Sequence, residues 1–127
     1  MKIIIEQEIT LDDVEGLIVT ALEGGSNYWY MVRTSDFKSD LPTSNEPLTV
    51  RISQALYKDP SFRMPVYDVE DEDEVLGILS QKTLKEGLEL AAKDYPERFR
   101  ALLDGEYDAE DADVIFQLCV MKEIVFG

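Results

Sequence analysis

The segment Ala21-Leu22-Glu23-Gly24-Gly25-Ser26-Asn27-Tyr28-Trp29-Tyr30 gathers more chemical capability than any other stretch of this chain. Two adjacent glycines allow a ligand or a second backbone to come close. Tyr28 and Trp29 offer flat faces for stacking, with polar tips beside Asn27. Glu23, Gly24, Gly25, Asn27, Tyr28 and Trp29 therefore form the candidate ligand-binding set, suited to a small planar ligand such as a nucleotide base. The competing reading is structural: a helix end that runs into a core strand around one large aromatic. The glycine spacing fits neither a Walker-type phosphate loop nor a dinucleotide-binding turn.

Carboxylates are the second source of chemistry. Asp and Glu number 27 against 12 Lys and Arg, for a formal net charge of −15. Such a surface repels phosphate backbones, so direct nucleic-acid binding is disfavoured. It keeps the protein dispersed and suits a basic protein partner. Much of the charge falls in two clusters. Asp68, Glu70, Asp71, Glu72, Asp73 and Glu74 form one, and Glu106, Asp108, Glu110 and Asp111 form the other. Together they are the candidate acidic partner surface. Clustered carboxylates also attract hard cations, yet neither cluster has the glycine and terminal glutamate of an EF-hand loop. A Mg²⁺ site built from Glu23, Asp111 and Asp113 is conceivable, but nothing in their spacing fixes a geometry. The expectation is no metal and no cofactor.

Histidine is absent, which removes the commonest general base, the Ser-His and Cys-His pairs and the usual zinc ligand. The single cysteine, Cys119, falls on an apolar helical stripe, where a thiol behaves as a small hydrophobe. A non-enzymatic role is expected. One cysteine and no leader-like N-terminal order point to the cytoplasm, and no apolar run approaches the roughly 20 residues that cross a bilayer.

These residues need elements to position them. Ile3, Ile4, Ile5 and Ile9 predict a first strand. Thr10, with Asp13 three residues on, predicts a capped helix whose buried face is Leu11, Val14, Leu17, Ile18, Ala21 and Leu22, ended by left-handed glycines at Gly24 and Gly25. Asn27 to Arg33 reads as a second strand, Ser35 to Pro47 as a long surface loop, and Leu48 to Tyr57 as a helix closed by Pro60. Val66 to Val69 and Val75 to Leu79 predict a hairpin joined by an acidic turn over Glu70 to Glu74. Helices follow over Ser80 to Lys93, from Pro96 to an end at Leu102-Leu103-Asp104-Gly105, and from an Asp108 cap onward. In the last helix Ala112, Ile115, Phe116, Cys119 and Val120 make the inner stripe, and Glu123 to Gly127 reads as a short strand or a docked tail. At 127 residues the chain suits a single globular domain, 1–127. The fold class expected is α+β: a small, mainly antiparallel sheet packed against about four helices.

The junction Ala21 to Trp29, and Asp108 to Leu118 with Glu123-Ile124-Val125-Phe126-Gly127, resemble a group of small bacteriophage and prophage-type proteins. The resemblance covers under a third of the chain and implies a setting, the host-cell cytoplasm, more than an activity. For a small acidic protein without catalytic residues, that setting implies a role in occupying a host protein or sequestering a small molecule. The resemblance thus implies a basic host protein as partner, with the small planar ligand as the alternative, and it leaves a homodimer open. Gly24 to Trp29 and Asp108 to Asp113 are expected to meet in space as one mixed glycine, aromatic and acidic surface.

Overall fold

A computed structural model describes all 127 residues. Five helices and a three-stranded antiparallel sheet make the α+β fold. The helices are α1 (Leu11–Thr20), α2 (Leu48–Lys58), α3 (Gln81–Asp94), α4 (Pro96–Asp104) and α5 (Ala109–Met121). The strands are β1 (Tyr30–Met31), β2 (Met64–Asp68) and β3 (Asp71–Leu79), in the order β1-β2-β3. No helix is long and apolar enough to cross a membrane.

Three helices begin with reciprocal caps, each satisfying two otherwise orphaned amides. Thr10 and Asp13 cap α1, Ser80 and Thr83 cap α3, and Asp108 and Asp111 cap α5. At the far end of α4 the expected stop is also present: Gly105 takes φ 72°, the left-handed conformation that closes a helix without steric cost. The N-terminal segment departs from expectation. Ile3 to Ile9 forms no strand, because strand preference is realised only when a neighbouring strand supplies hydrogen bonds, and both sheet edges stand without it. The first ten residues run instead as an irregular arm, fastened near its end where the Tyr57 hydroxyl donates to the Ile9 carbonyl at 3.2 Å.

The Ser35 to Pro47 loop is anchored rather than superficial. Two short 3₁₀ turns carry Phe37 and Leu41 into the core, and the Phe37 ring meets the Phe62 ring edge-on at 6.0 Å. The hairpin is present, but its acidic residues are placed differently. The turn is Val69-Glu70, and Asp71 to Glu74 belong to β3. Adjacent Tyr67 and Asp68 pair with Val75 and Asp71, so Glu72, Asp73 and Glu74 have no opposite residue on β2 and bulge from the ladder. Acidic residues on an edge strand also block edge-to-edge pairing with another sheet.

One contiguous apolar cluster runs from Val14 to Val120, and α5 lies at its centre. Eight residues of α5 are buried, among them the whole predicted stripe together with the polar Asp113 and Gln117. A helix covered on so many sides requires close neighbours. Gly87 of α3 supplies one such contact, since a Cβ there would lie 2.4–2.5 Å from the backbone and sulfur of Cys119. The tail after α5 forms no strand and docks on the core through Phe126.

Gly87→Ala should therefore force α3 from α5 and cost about 2 kcal/mol. Gly24→Ala, at a position with nothing within 4 Å, should stay within about 0.5 kcal/mol of the parent. Urea denaturation of the two variants checks the contrast, and equal stabilities would refute the close-packing account.

Candidate functional site

Asp113 is the centre around which the two end segments meet. It is only 6% exposed, and no cation lies against it. Its Oδ1 accepts from the Ser26 hydroxyl and the Trp29 indole, both at 2.7 Å. Its Oδ2 accepts from the Tyr28 hydroxyl at 2.5 Å and the Gln117 amide at 3.2 Å. Four donors thus occupy the roughly four lone-pair positions of an ionised carboxylate. Buried charge is costly unless such bonds replace water, and here the replacement is complete.

The local sequence explains how the donors converge. The helix α1 continues into a π-helical turn, Ala21–Gly25, closed by the Ser26 amide on the Ala21 carbonyl at 2.9 Å. The Trp29 and Tyr30 amides then bond to the Ser26 carbonyl, which folds Ser26, Tyr28 and Trp29 toward one point. Gly25 takes no positive φ, so the expected left-handed glycine stop is absent. Its role is proximity: a Cβ there would lie 2.5 Å from the Ala109 carbonyl at the start of α5. Without that approach the Asp113 carboxylate would lie out of reach of the junction.

Gln117, one helical turn beyond Asp113, ties in the C-terminal tail. Its Oε1 accepts from the Val125 and Phe126 amides, both at 2.9 Å, and its Nε2 donates to the Phe126 carbonyl at 3.1 Å. Phe126 then stacks on Trp29, with ring centroids 5.3 Å apart and planes at 9°. Phe116 packs on the same indole at 5.6 Å. The expected meeting of the two segments is therefore real, but it is an interior lock and not a mixed surface.

The six candidate ligand-binding residues divide accordingly. Trp29 is 1% exposed, so its stacking role toward a ligand is corrected: Phe126 and Phe116 already cover the ring. Gly25 is pressed against α5. Glu23 lies apart, accepting from the Thr49 hydroxyl at 2.7 Å, where its charge favours the N-terminus of α2. Gly24, Asn27 and Tyr28 remain exposed. Ser26 and Gln117 carry the site without having been singled out from the sequence. The available signal was Asp113 and Gln117, four apart and the only polar residues of α5 beyond its acidic first turn.

The carboxylates postulated for Mg²⁺ each have other partners. Glu23 holds Thr49, Asp113 is saturated, and Asp111 caps α5 while accepting from Arg98 at 2.8 Å. No group of three or more acidic or Cys side chains has metal-holding geometry. The Cys119 thiol is fully buried, and burial pushes it up to about 12, far from the thiolate needed for nucleophilic work.

The two acidic clusters also differ. In the second, Arg98 bridges Glu110 at 3.0 Å and Asp111 at 2.8 Å. The Asp111 amide, with the Asp111 side chain and Arg98 adding to it, holds the Asp108 carboxyl below its ordinary range against desolvation. That cluster serves largely to start α5. In the first, Glu70 to Glu74 are all exposed. Their one nearby cation is Arg33, which bonds the Glu72 carbonyl, lies 3.8 Å from Asp73 and stacks 4.3 Å over the Tyr67 ring.

Comparison with protein families, with curated proteins and with solved structures finds no match to this chain.

Two predictions follow from this geometry. Asp113→Ala orphans the buried Ser26 and Trp29 donors and should cost about 3 kcal/mol. Because Trp29 is the sole tryptophan, the loss should also appear as a red-shifted native emission; an unshifted spectrum at unchanged stability would remove the lock from the account. The second concerns alkaline pH. Burial, then the bond to Asp113, pushes the Tyr28 phenol up to about 12, and burial, then the Glu23 charge, does the same for Tyr30, against an ordinary 10.0. An unfolded tyrosine releases its proton near 10 while these retain theirs, so their contribution is full below pH 10 and is lost as pH rises toward 12. Thermal unfolding across pH 9–12 should show a decline that the Tyr28→Phe, Tyr30→Phe double variant flattens.

Proposed function

We propose that this chain is a non-catalytic binding protein, of the phage type its two end segments resemble, which inhibits or sequesters a basic host protein through the acidic hairpin. The observation that carries the reading is the bulged run Glu72-Asp73-Glu74 on the free edge of β3, exposed with its neighbours Glu70 and Asp71 and accompanied by Arg33 alone. Carboxylates presented this way need no rearrangement to meet lysine and arginine, and complementary charge accelerates encounter. Asp68 lies beside the turn of the same hairpin, opposite Asp71. Glu106 and Glu110 extend the acidic character near the start of α5, with Asp108 and Asp111 largely committed to its cap.

A saturated Asp113 and a buried thiol support a role without chemistry. The planar-ligand alternative keeps Tyr28, Asn27 and Gly24 as accessible groups but loses Trp29 as its stacking face. Direct nucleic-acid binding remains disfavoured by the net charge of −15.

Affinity capture from bacterial host lysate tests the reading. A basic protein should be retained at low ionic strength and released as salt rises through a few hundred millimolar, where the Debye length falls below about 8 Å. The Glu72→Lys, Asp73→Lys, Glu74→Lys variant should bind that protein at least ~10-fold more weakly, chiefly through slower association. Capture that is indifferent to both salt and charge reversal would sink the proposal.

A further inference from the structure

Between the N-terminal arm and helices α1 to α4 lies an apolar cavity of about 340 Å³. Ile9, Val14, Leu56, Leu84, Leu88 and Phe99 supply much of its wall. Ile5 reaches its mouth yet is 79% exposed, and the preceding Ile3 and Ile4 are 73% and 96% exposed. No other three consecutive large apolar side chains are exposed in this protein. An exposed aliphatic triplet and an apolar cavity of matching chemistry thus lie at the two sides of one segment.

We propose that the chain forms a two-fold dimer by reciprocal exchange of N-terminal arms, with Ile3–Ile5 of each copy entering the cavity of the other. The arm's own attachment favours the partner's cavity over its own. The Tyr57 bond to the Ile9 carbonyl and the cap at Thr10 fix the root of the arm at the cavity, so Ile3 and Ile4 lie beyond the mouth. From that root at Ile9, the six residues out to Ile3 span roughly 20 Å in extended form, enough to reach across a two-fold axis that passes close to the arm. Exchange of identical segments is a low-cost route to a closed dimer, because each contact is made twice.

The flanking charges fit the same arrangement. Lys2 and Glu6 bracket the isoleucine triplet, and Glu89 and Lys85, one turn apart on α3, stand at the cavity. None of these four takes part in an ion pair within the chain. An arm laid with Lys2 toward Glu89 and Glu6 toward Lys85 satisfies both pairs while the isoleucines fill the apolar space. β3, whose edge carries Asp71 to Glu74, is left outside the contact and available to a basic partner.

This dimer is independent of the host-protein reading, and ionic strength separates the two. An apolar contact between two strongly acidic bodies should strengthen as salt screens their repulsion, whereas binding of a basic protein should weaken. Sedimentation equilibrium of the full chain should give twice the 14.5 kDa chain mass, with tighter association at 500 mM than at 50 mM salt. Ile4→Asp should weaken association at least ~100-fold while leaving the far-ultraviolet spectrum of the monomer unchanged. The Ile4→Cys, Lys85→Cys double variant should oxidise to a covalent dimer on a non-reducing gel, since the native Cys119 is buried. A monomer at all concentrations, a dimer indifferent to Ile4→Asp, or a disulfide formed only within one chain would each overturn the proposal.

Discussion

A carboxylate buried without a cation must draw its stability from hydrogen bonds alone, and that requirement organises this protein. Asp113 sits in the first half of α5, and three of its four donors come from a junction more than 80 residues earlier in the chain, the fourth being Gln117 one turn on. Meeting the requirement brings the end of α1 and its π-helical turn against the start of α5. It also orients the indole of Trp29, which then becomes the platform for Phe116 and Phe126. Gln117 repeats the arrangement one turn later with the C-terminal tail. Because each buried polar group has a partner and no buried side-chain nitrogen or oxygen is left without one, the network specifies one geometry as well as tolerating burial.

The same economy shapes how the charge is used. At the starts of α1 and α5 carboxylates are engaged: Asp13 and Asp111 close caps, and Arg98 spans Glu110 and Asp111. The hairpin is different. Its turn consumes only two residues, so the acidic run is displaced into β3, and the three-residue bulge presents side chains that no strand neighbour restrains. Exposed carboxylates with a single nearby arginine form the part of the surface best suited to recognition by charge, while the aromatic junction serves the interior.

Apolar groups divide along a similar line. The helices and strands from α1 onward place their large side chains in one cluster around α5, but the isoleucines that open the sequence do not join it. They have the composition of a strand and no strand beside them. The cavity near the root of the arm is walled by the same residue types, so the chain carries both halves of an apolar contact that it does not close within one copy.

Much of the scaffold was legible in the order of residues, for local reasons. The Thr10 and Asp108 caps, the stop at Gly105 and the helical stripe of α5 depend on hydrogen bonds and side-chain spacing within a few positions, which a sequence displays directly. The hairpin was legible as a hairpin; its register was not, because only pairing with β2 decides which acidic residues turn and which bulge. The fate of Ile3 to Ile9 depended on whether a neighbouring strand exists, a property of the whole sheet. At the candidate site the residue types were evident, and so was the expectation that the two end segments meet. That Trp29 faces inward, that Gly25 serves close approach rather than a left-handed turn, and that Ser26 and Gln117 complete the Asp113 network were decided by tertiary structure alone. Burial and long-range hydrogen bonding arise from packing between segments distant in the chain, and local sequence holds no direct record of them.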